Sequence, residues 1–191
     1  MTETKPARRG FRAPLLGLAI AFMAPLGCAF WLYYGSGWRP AGHTNHGVLI
    51  EPLRALPLSA VAGAEALKGK WSLVVVGVGP CEATCQGALV TARQTWLSLG
   101  KLTERVQRVL LAGPGCCDAE YLAREHEGLI RLDASAPAPQ ALLSTFPADQ
   151  QAQMIFIVDP LGNLMMRYDS QANPKGLRQD LQRLLDLSHI G

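Results

Sequence analysis

WSLVVVGVGPCEATC, at residues 71–85, joins an apolar run to a pair of cysteines. Residues 71–78 are almost all apolar and rich in valine, the pattern of a β-strand buried on both faces. Residues 83–99 are predicted as the helix that follows this strand. Cys81 and Cys85 therefore lie where a buried strand ends and a long helix begins.

The end of a buried strand and the start of a helix together favour a reactive or metal-binding thiol. Sites in open α/β sheets form at the carboxyl ends of the strands, and a helix N-terminus stabilises a thiolate. Because the spacing of Cys81 and Cys85 is i, i+4, both sulfurs lie on one face of a helical turn. The pair is expected to close a disulfide or to hold a soft ion such as Cu(I). A purely structural disulfide is less favoured, because such a cross-link usually joins distant segments.

The rest of the chain alternates between strands and helices. A second strand is predicted at residues 106–112, a helix at 118–127 capped by Asp118, a short strand at 129–132 and a helical turn at 140–146. Strands at 154–158 and 164–168 flank the turn DPLGN at 159–163. A last helix starts at Asn173, with leucines at 177, 181, 184 and 185 on one face. This order predicts a thioredoxin-like α/β domain. A doubly wound parallel sheet is the alternative, and the hairpin argues against it.

A second cysteine pair, Cys116 and Cys117, follows the second strand in the stretch GPGCC. If the two strands are parallel neighbours, their carboxyl ends share one rim and the two cysteine pairs face each other. Four thiols at one rim would form a metal site, a disulfide relay or a structural cross-link. An incidental pair of small loop residues is an equally good interpretation.

An apolar segment at residues 14–34 precedes the domain. As a helix its 21 residues would rise about 31 Å, the thickness of a bilayer core. Four basic residues precede it and only Arg39 follows closely, so the positive-inside rule places residues 1–13 in the cytoplasm and the domain outside. A cleaved signal peptide, a twin-arginine signal and a lipoprotein box fit this segment less well. Cys28, inside the segment, is expected to be inert.

The predicted anchor determines the compartment of the domain and divides the chain into an arm, a membrane segment, a linker and a domain. Residues 35–47 are rich in Gly and polar residues and are predicted as a linker, followed by a domain at 48–191. Outside the cytoplasm, in a bacterial periplasm, disulfides form and persist. The net charge of +3 equals that of the first twelve residues alone, so the rest is neutral. A neutral domain argues against nucleic-acid binding, which needs a concentrated basic face.

The chain resembles the Sco/SenC family. The resemblance is carried by the stretch LKGKW at 67–71 leading into the first strand, by the CxxxC of Cys81 and Cys85, and by the late strand that runs into DPLG at 159–162. It implies a membrane-anchored thioredoxin fold that takes part in building the copper centre of cytochrome c oxidase. The family's third copper ligand, a His eight positions before the Asp of that turn, corresponds to Gln151, and no His lies between His126 and His189.

The resemblance thus carries over Cys81 and Cys85 as Cu(I) ligands, with Cys116 and Cys117 as candidate replacements for the missing His. The predicted function is thiol–disulfide exchange or Cu(I) handling at the bacterial inner membrane, with respiratory oxidase subunits or their assembly factors as partners. Cys81 is the expected attacking thiolate and Cys85 resolves. The alternatives are a non-catalytic assembly scaffold that keeps the fold without copper, and a general periplasmic thiol reductase.

Overall fold

The computed structural model describes residues 12–36, 44–60, 62–135, 140–148 and 153–191. The chain forms two compact units, Met1–His43 and Thr44–Gly191. The predicted basic arm, apart from residues 12 and 13, and residues 37–43 of the predicted linker lie outside the described residues. The boundaries given to the arm, the linker and the domain remain predictions.

Helix α1, Arg12–Tyr34, covers the predicted membrane segment. Within the described residues, Ala13–Tyr34 is the one helix long and apolar enough to cross a membrane. Its large apolar side chains are exposed, among them Leu16, Phe22 and Trp31. A helix with apolar side chains exposed over this length satisfies its backbone internally and suits a lipid environment.

A six-stranded mixed sheet forms the second unit, in the order β1-β6-β5-β2-β3-β4. The strands are β1 Val48–Ala55, β2 Trp71–Gly77, β3 Val106–Ala112, β4 Ile130–Asp133, β5 Met154–Val158 and β6 Asn163–Asp169. Strands β2, β3 and β4 run parallel, while β5 and β6 form an antiparallel hairpin beside β2. The predicted combination of a parallel front and an antiparallel back is confirmed.

Strand β2 lies inside the sheet, and all seven of its residues are buried. Leu73 and Val75 pack into one core cluster and Val74 and Val76 into another, on the opposite face. The first cluster includes helices α2, Ala83–Leu97, and α5, Pro174–Leu187. The valine-rich run of β2 is therefore explained by burial on both faces.

The remaining helices are α3, Ala119–Glu125, and α4, Gln140–Leu143. Asp118 caps α3 as predicted, because its carboxylate accepts hydrogen bonds from the backbone N–H groups of Glu120 and Tyr121. Asn173 likewise caps α5 by accepting from the N–H of Gly176. These side chains satisfy donors that a helix leaves unpaired at its first turn.

Strand β1 and three short 3₁₀ helices, Leu58–Ala60, Ala64–Leu67 and Gly100–Arg105, are absent from the sequence prediction. Seven of the eight β1 residues are exposed, and only Ile50 is buried. The strand contains Pro52 and lies at the edge of the sheet. An edge strand with a proline and little burial lacks the apolar alternation by which strands are recognised.

Candidate functional site: a sulfur cluster at the sheet rim

The two cysteine-bearing loops leave the sheet side by side. Strands β2 and β3 pair in parallel up to Gly77 and Ala112. Beyond that pair, the N–H of Gly113 donates to the carbonyl of Gly77 at 2.7 Å, and the N–H of Gly79 donates to that of Pro114 at 3.0 Å. These bonds continue the ladder into the loops and hold both loops at the carboxyl-end rim, where open α/β sheets place their sites.

Cys81 and Cys85 form a disulfide at the start of α2, with Cα atoms 5.2 Å apart. Cys81 precedes the N-cap residue, Glu82, and is half-buried, whereas Cys85 lies in the first turn and is 3% exposed. The side-chain amide of Gln86 donates to the carbonyl of Cys81 at 2.9 Å. The pair therefore consists of one half-buried and one buried cysteine at a helix N-terminus.

Cys116 and Cys117 form a second disulfide between neighbouring residues. Cys116 is 6% exposed and Cys117 is half-buried, with a positive φ of 70°. A Cβ atom on Gly77 would lie 2.3 Å from the Cys116 sulfur. The glycine that ends β2 is thus what lets this sulfur pack against the strand.

The sulfurs of Cys81, Cys85 and Cys117 lie within 4.8 Å of one another, and we call this group the sulfur cluster. Cys116 lies outside the group. The parallel neighbours β2 and β3 therefore bring the two pairs to one rim, as expected if both strands share it. Three thiolates at this separation would suit a soft ion such as Cu(I). Catalytic and metal-binding roles for all four cysteines remain predictions.

A groove of about 560 Å³ opens beside the sulfur cluster. It is lined by Pro80, Cys81, Gln86, Gly115, Cys117, Asp118 and Tyr121. The backbone N–H groups of Tyr121 and Glu120 hold the pKa of Asp118 below its usual value, so this wall of the groove carries a negative charge at neutral pH. The half-buried cysteine of each pair, Cys81 or Cys117, lines this same groove.

A buried polar group lies behind the groove wall. The Tyr121 hydroxyl is 3.2 Å from Nε2 of His126, which is 2% exposed. Burial lowers the pKa of His126, and the nearby charges of Arg108 and Arg93 lower it further. At neutral pH His126 is therefore an uncharged imidazole.

Two residues near the position of the family's His ligand differ in what the structure describes. Gln151, at the corresponding position, lies outside the described residues. Met154, three positions later, begins β5, is 7% exposed and packs in a core cluster. Cys117 is thus the described residue that adds a soft donor to Cys81 and Cys85.

Sequence reasoning missed a second polar centre around Asp180, which is 5% exposed on α5. Its carboxylate accepts from the N–H groups of His46 (2.6 Å) and Gly47 (3.0 Å) and from the Tyr168 hydroxyl (2.6 Å). His46 Nδ1 lies 3.0 Å from it as well. We call these residues the Asp180 cluster. His46 and Gly47 lie more than 130 positions before Asp180, so no local sequence motif indicates the cluster.

Residues 71–188 of this chain match the family described as the transmembrane-like, thioredoxin-like, C-terminal domain. The chain belongs to this family. Among curated protein sequences, none matches the chain. The family domain begins with β2 and ends just after α5, so it contains both cysteine pairs.

Solved structures with the same fold include Sco proteins. Apo Sco1 from Thermus thermophilus shares 21% identity over 76% of this chain and 99% of its own, with a TM-score of 0.55. Yeast Sco1 with copper bound shares 16% identity over 65% and 84%, with a TM-score of 0.52. A putative thioredoxin from Neisseria meningitidis shares 16% over 72% and 91%, with a TM-score of 0.50. The resemblance to membrane-anchored thioredoxin-fold proteins of the Sco/SenC kind is confirmed, and these likenesses establish the fold.

Proposed function

We propose that this protein is a membrane-anchored thiol–disulfide exchanger that, in its reduced state, handles Cu(I) for assembly of the copper centre of cytochrome c oxidase. The observation that carries the proposal is the sulfur cluster, three cysteine sulfurs within 4.8 Å of one another at a sheet rim. A copper-bound Sco1 of the same fold supports the choice of metal. The proposed partners are respiratory oxidase subunits or their assembly factors.

The proposed setting is the bacterial inner membrane, with the domain in the periplasm. Helix α1 anchors the chain, and the basic residues concentrated before Ala13 favour a cytoplasmic N-terminus. Two disulfides in the domain agree with an oxidising compartment. Labelling intact cells with a thiol reagent that does not cross the inner membrane, after reduction, tests this orientation. Labelling of the domain cysteines only after cell lysis would contradict it.

The redox step proceeds between the Cys81–Cys85 disulfide and a dithiol of a partner protein. A partner thiolate attacks the half-buried Cys81 sulfur, which forms a mixed disulfide and releases Cys85 as a thiolate. The second partner thiol then displaces Cys81, so the partner leaves as a disulfide and both cysteines are thiols. The helix N-terminus stabilises the Cys85 thiolate as it leaves. In the reverse direction Cys81 is the attacking thiolate and Cys85 resolves.

Copper is the cargo of the reduced site. Cys81 and Cys85 supply two thiolates after one two-electron reduction, and Cys117 supplies the third once a second dithiol has opened Cys116–Cys117. Soft thiolates select Cu(I) over harder ions. The half-buried positions of Cys81 and Cys117 leave the ion accessible from the groove, as transfer to a partner requires.

A Cu(I) competition titration tests the metal half. The full chain in detergent, with Cys28→Ser to remove the remaining thiol, is reduced without oxygen and titrated against a chromogenic Cu(I) chelator. We expect Cys81→Ser with Cys85→Ser to weaken binding at least a hundredfold and Cys117→Ser about tenfold, since each lost thiolate is expected to cost at least about 1.4 kcal/mol, a factor of ten in affinity. Equal affinity of the parent and the double variant would refute copper handling by this pair.

A cell experiment separates this function from a scaffold role. A strain that carries Cys81→Ala and Cys85→Ala in the full chain is expected to assemble little active oxidase, although the protein is present in the membrane. Excess copper in the medium is expected to restore part of the activity if delivery is the step that fails. Normal oxidase levels in that strain would favour the scaffold alternative.

A further inference from the structure

Cys117 belongs to one disulfide and lies close to the other. It is bonded to Cys116, and its sulfur is within 4.8 Å of those of Cys81 and Cys85. We propose that Cys116–Cys117 is a second redox couple that exchanges its disulfide with Cys81–Cys85 inside the domain. This inference rests on the proposed function in one respect, that Cys81–Cys85 is the couple that meets the partner protein.

The burial of the four cysteines assigns a role to each. Cys81 and Cys117 are half-buried and line the same groove. Cys85 and Cys116 are 3% and 6% exposed. Each couple therefore has one cysteine that lines the groove and one that is buried. Exchange takes place between the two sulfurs in the groove, and the two shielded sulfurs resolve the mixed disulfide.

The step begins with Cys81–Cys85 oxidised and Cys116 and Cys117 reduced, and it balances without another reagent. The Cys117 thiolate attacks the Cys81 sulfur, so that a Cys81–Cys117 bond forms, the Cys81–Cys85 bond breaks and Cys85 leaves as a thiolate. The Cys116 thiolate then attacks Cys117, forms Cys116–Cys117 and releases Cys81 as a thiolate. Two protons pass from the second couple to the first. Two electrons move from Cys116 and Cys117 to Cys81 and Cys85.

The backbone holds the two couples in place for this exchange. The bonds from Gly113 to Gly77 and from Gly79 to Pro114 join the two loops. Gly77 leaves the space that the Cys116 sulfur occupies. Because the reacting sulfurs are positioned before the reaction, exchange inside one chain is favoured over exchange between chains.

The consequence is a domain that stores two or four electrons. One partner dithiol supplies two electrons, and the exchange lets these reach either couple, whichever of the two the partner reduces. The second couple thereby acts as a reserve that keeps Cys81 and Cys85 in the dithiol form that the proposed copper step needs.

A trapped mixed disulfide tests the relay directly. In the full chain in detergent with Cys28→Ser, the trap variant Cys85→Ser, Cys116→Ser keeps only the two groove sulfurs, Cys81 and Cys117. Trypsin releases them on different peptides, residues 71–93 and 109–124. Under a glutathione redox buffer we expect a disulfide that links these two peptides, detected by mass spectrometry.

The matched control is Cys85→Ser, Cys117→Ser, which keeps Cys81 and the shielded Cys116 on the same two peptides. We expect the trap variant to give at least a fivefold higher yield of the linked peptides. Equal yields in the two variants, or no linked peptide in the trap variant, overturn the relay.

A chain that keeps all four domain cysteines gives a second test, which does not depend on how the trap and control variants fold. The Cys28→Ser chain is brought to the two-electron state from both directions, by adding one equivalent of dithiothreitol to the oxidised chain and one equivalent of diamide, a two-electron thiol oxidant, to the reduced chain. Alkylation of peptides 71–93 and 109–124 then reports where the electrons lie. We expect the same ratio from both directions, at a rate independent of chain concentration. Ratios that remain different, or a rate proportional to concentration, overturn the relay.

Failure of the relay and failure of the proposed function give different results. With Cys116→Ser, Cys117→Ser, the Cys81–Cys85 disulfide still reacts with an external dithiol if only the relay is wrong. If Cys81→Ser, Cys85→Ser retains Cu(I) affinity and oxidase assembly, the proposed function is wrong, whatever the trap experiment shows.

Discussion

The sulfur cluster and the Asp180 cluster are built in opposite ways. Asp180 is 5% exposed and its carboxylate is saturated with hydrogen-bond partners. The sulfur cluster opens on a groove through Cys81 and Cys117, and its bonds are disulfides, which thiolates exchange. A buried carboxylate with all its hydrogen bonds made stabilises the fold. A partly exposed disulfide can react with a partner.

The Asp180 cluster also fixes the start of the domain. His46 and Gly47, at the end of the predicted linker, donate to a helix more than 130 positions away. Gly47 packs against the Tyr168 ring so closely that a Cβ would lie 2.2 Å from a ring carbon. The last residues of the predicted linker are therefore anchored to β6 and α5.

The largest effect is expected from Asp180→Ala. It leaves the buried donors of Gly47 and Tyr168 and the part-buried donors of His46 without their acceptor, which costs about 3 kcal/mol of unfolding free energy. Urea unfolding of the full chain in detergent measures the loss. Asp186→Ala, an exposed position on the same helix, is the control and is expected to change little. If Asp180→Ala changes the disulfide exchange rate of Cys81–Cys85 rather than stability, the contrast between the two centres fails.

A somewhat smaller loss, about 2 kcal/mol, is expected from Gly77→Ala, because the new Cβ would lie 2.3 Å from the Cys116 sulfur and overpack a filled site. This variant is also expected to lower the yield of the Cys81–Cys117 link, since the second loop must shift. Thermal unfolding and the trap experiment measure the two effects.

Gly87→Ala is the matched control for Gly77→Ala. Its Cβ would meet nothing closer than 3.9 Å, and alanine favours a helix. It is expected to raise stability slightly and leave the sulfurs unchanged. An equal loss in both glycine variants would show that Gly77 has no particular relation to Cys116.

The pH dependence of stability offers a finer comparison. Burial raises the pKa of Asp180, but hydrogen bonds from Tyr168, His46 and Gly47 outweigh burial and hold it below its usual value. Because the pKa of this carboxyl group is lower in the folded than in the unfolded state, its ionised form stabilises the fold. This contribution is fully present at pH values above the unfolded-state pKa, about 3.9, and is lost as the pH falls through the folded-state pKa. We expect the stability gap between the parent and Asp180→Asn to narrow across that acidic range. A gap that widens on acidification would contradict the assignment.

The smallest effect, about 1 kcal/mol of unfolding free energy, is expected from Asn173→Ala. This substitution removes the cap of α5, but the lost acceptor is exposed, unlike the carboxylate of Asp180. Asn173→Ser keeps an acceptor at the cap and is expected to restore most of the loss. Chemical unfolding of both variants and of Asp180→Ala gives the loss of unfolding free energy in each. The comparison measures how much more a buried hydrogen-bond acceptor contributes than an exposed one on the same helix. Equal losses for Asn173→Ala and Asp180→Ala would show that burial does not matter here.

Much of the fold was predictable where one local pattern dominates. The valine-rich β2, the apolar α1, the turn at Asp159 and the caps Asp118 and Asn173 each depend on residues close in the chain. Strand β1 was missed because seven of its eight residues are exposed. Helix α2 ends at Leu97 instead of the predicted 99, as boundaries depend on neighbouring packing.

The amino-acid sequence alone determined which cysteines follow which strands, and hence that two pairs meet at one rim if β2 and β3 are parallel neighbours. Only the tertiary structure decided that Cys117, and not Cys116, joins Cys81 and Cys85. It alone placed His46 and Gly47 on Asp180. The physical reason is range. Periodicity and capping act over a few residues, whereas the side on which a loop sulfur lies, and the donor that reaches a buried carboxylate, depend on packing between distant segments.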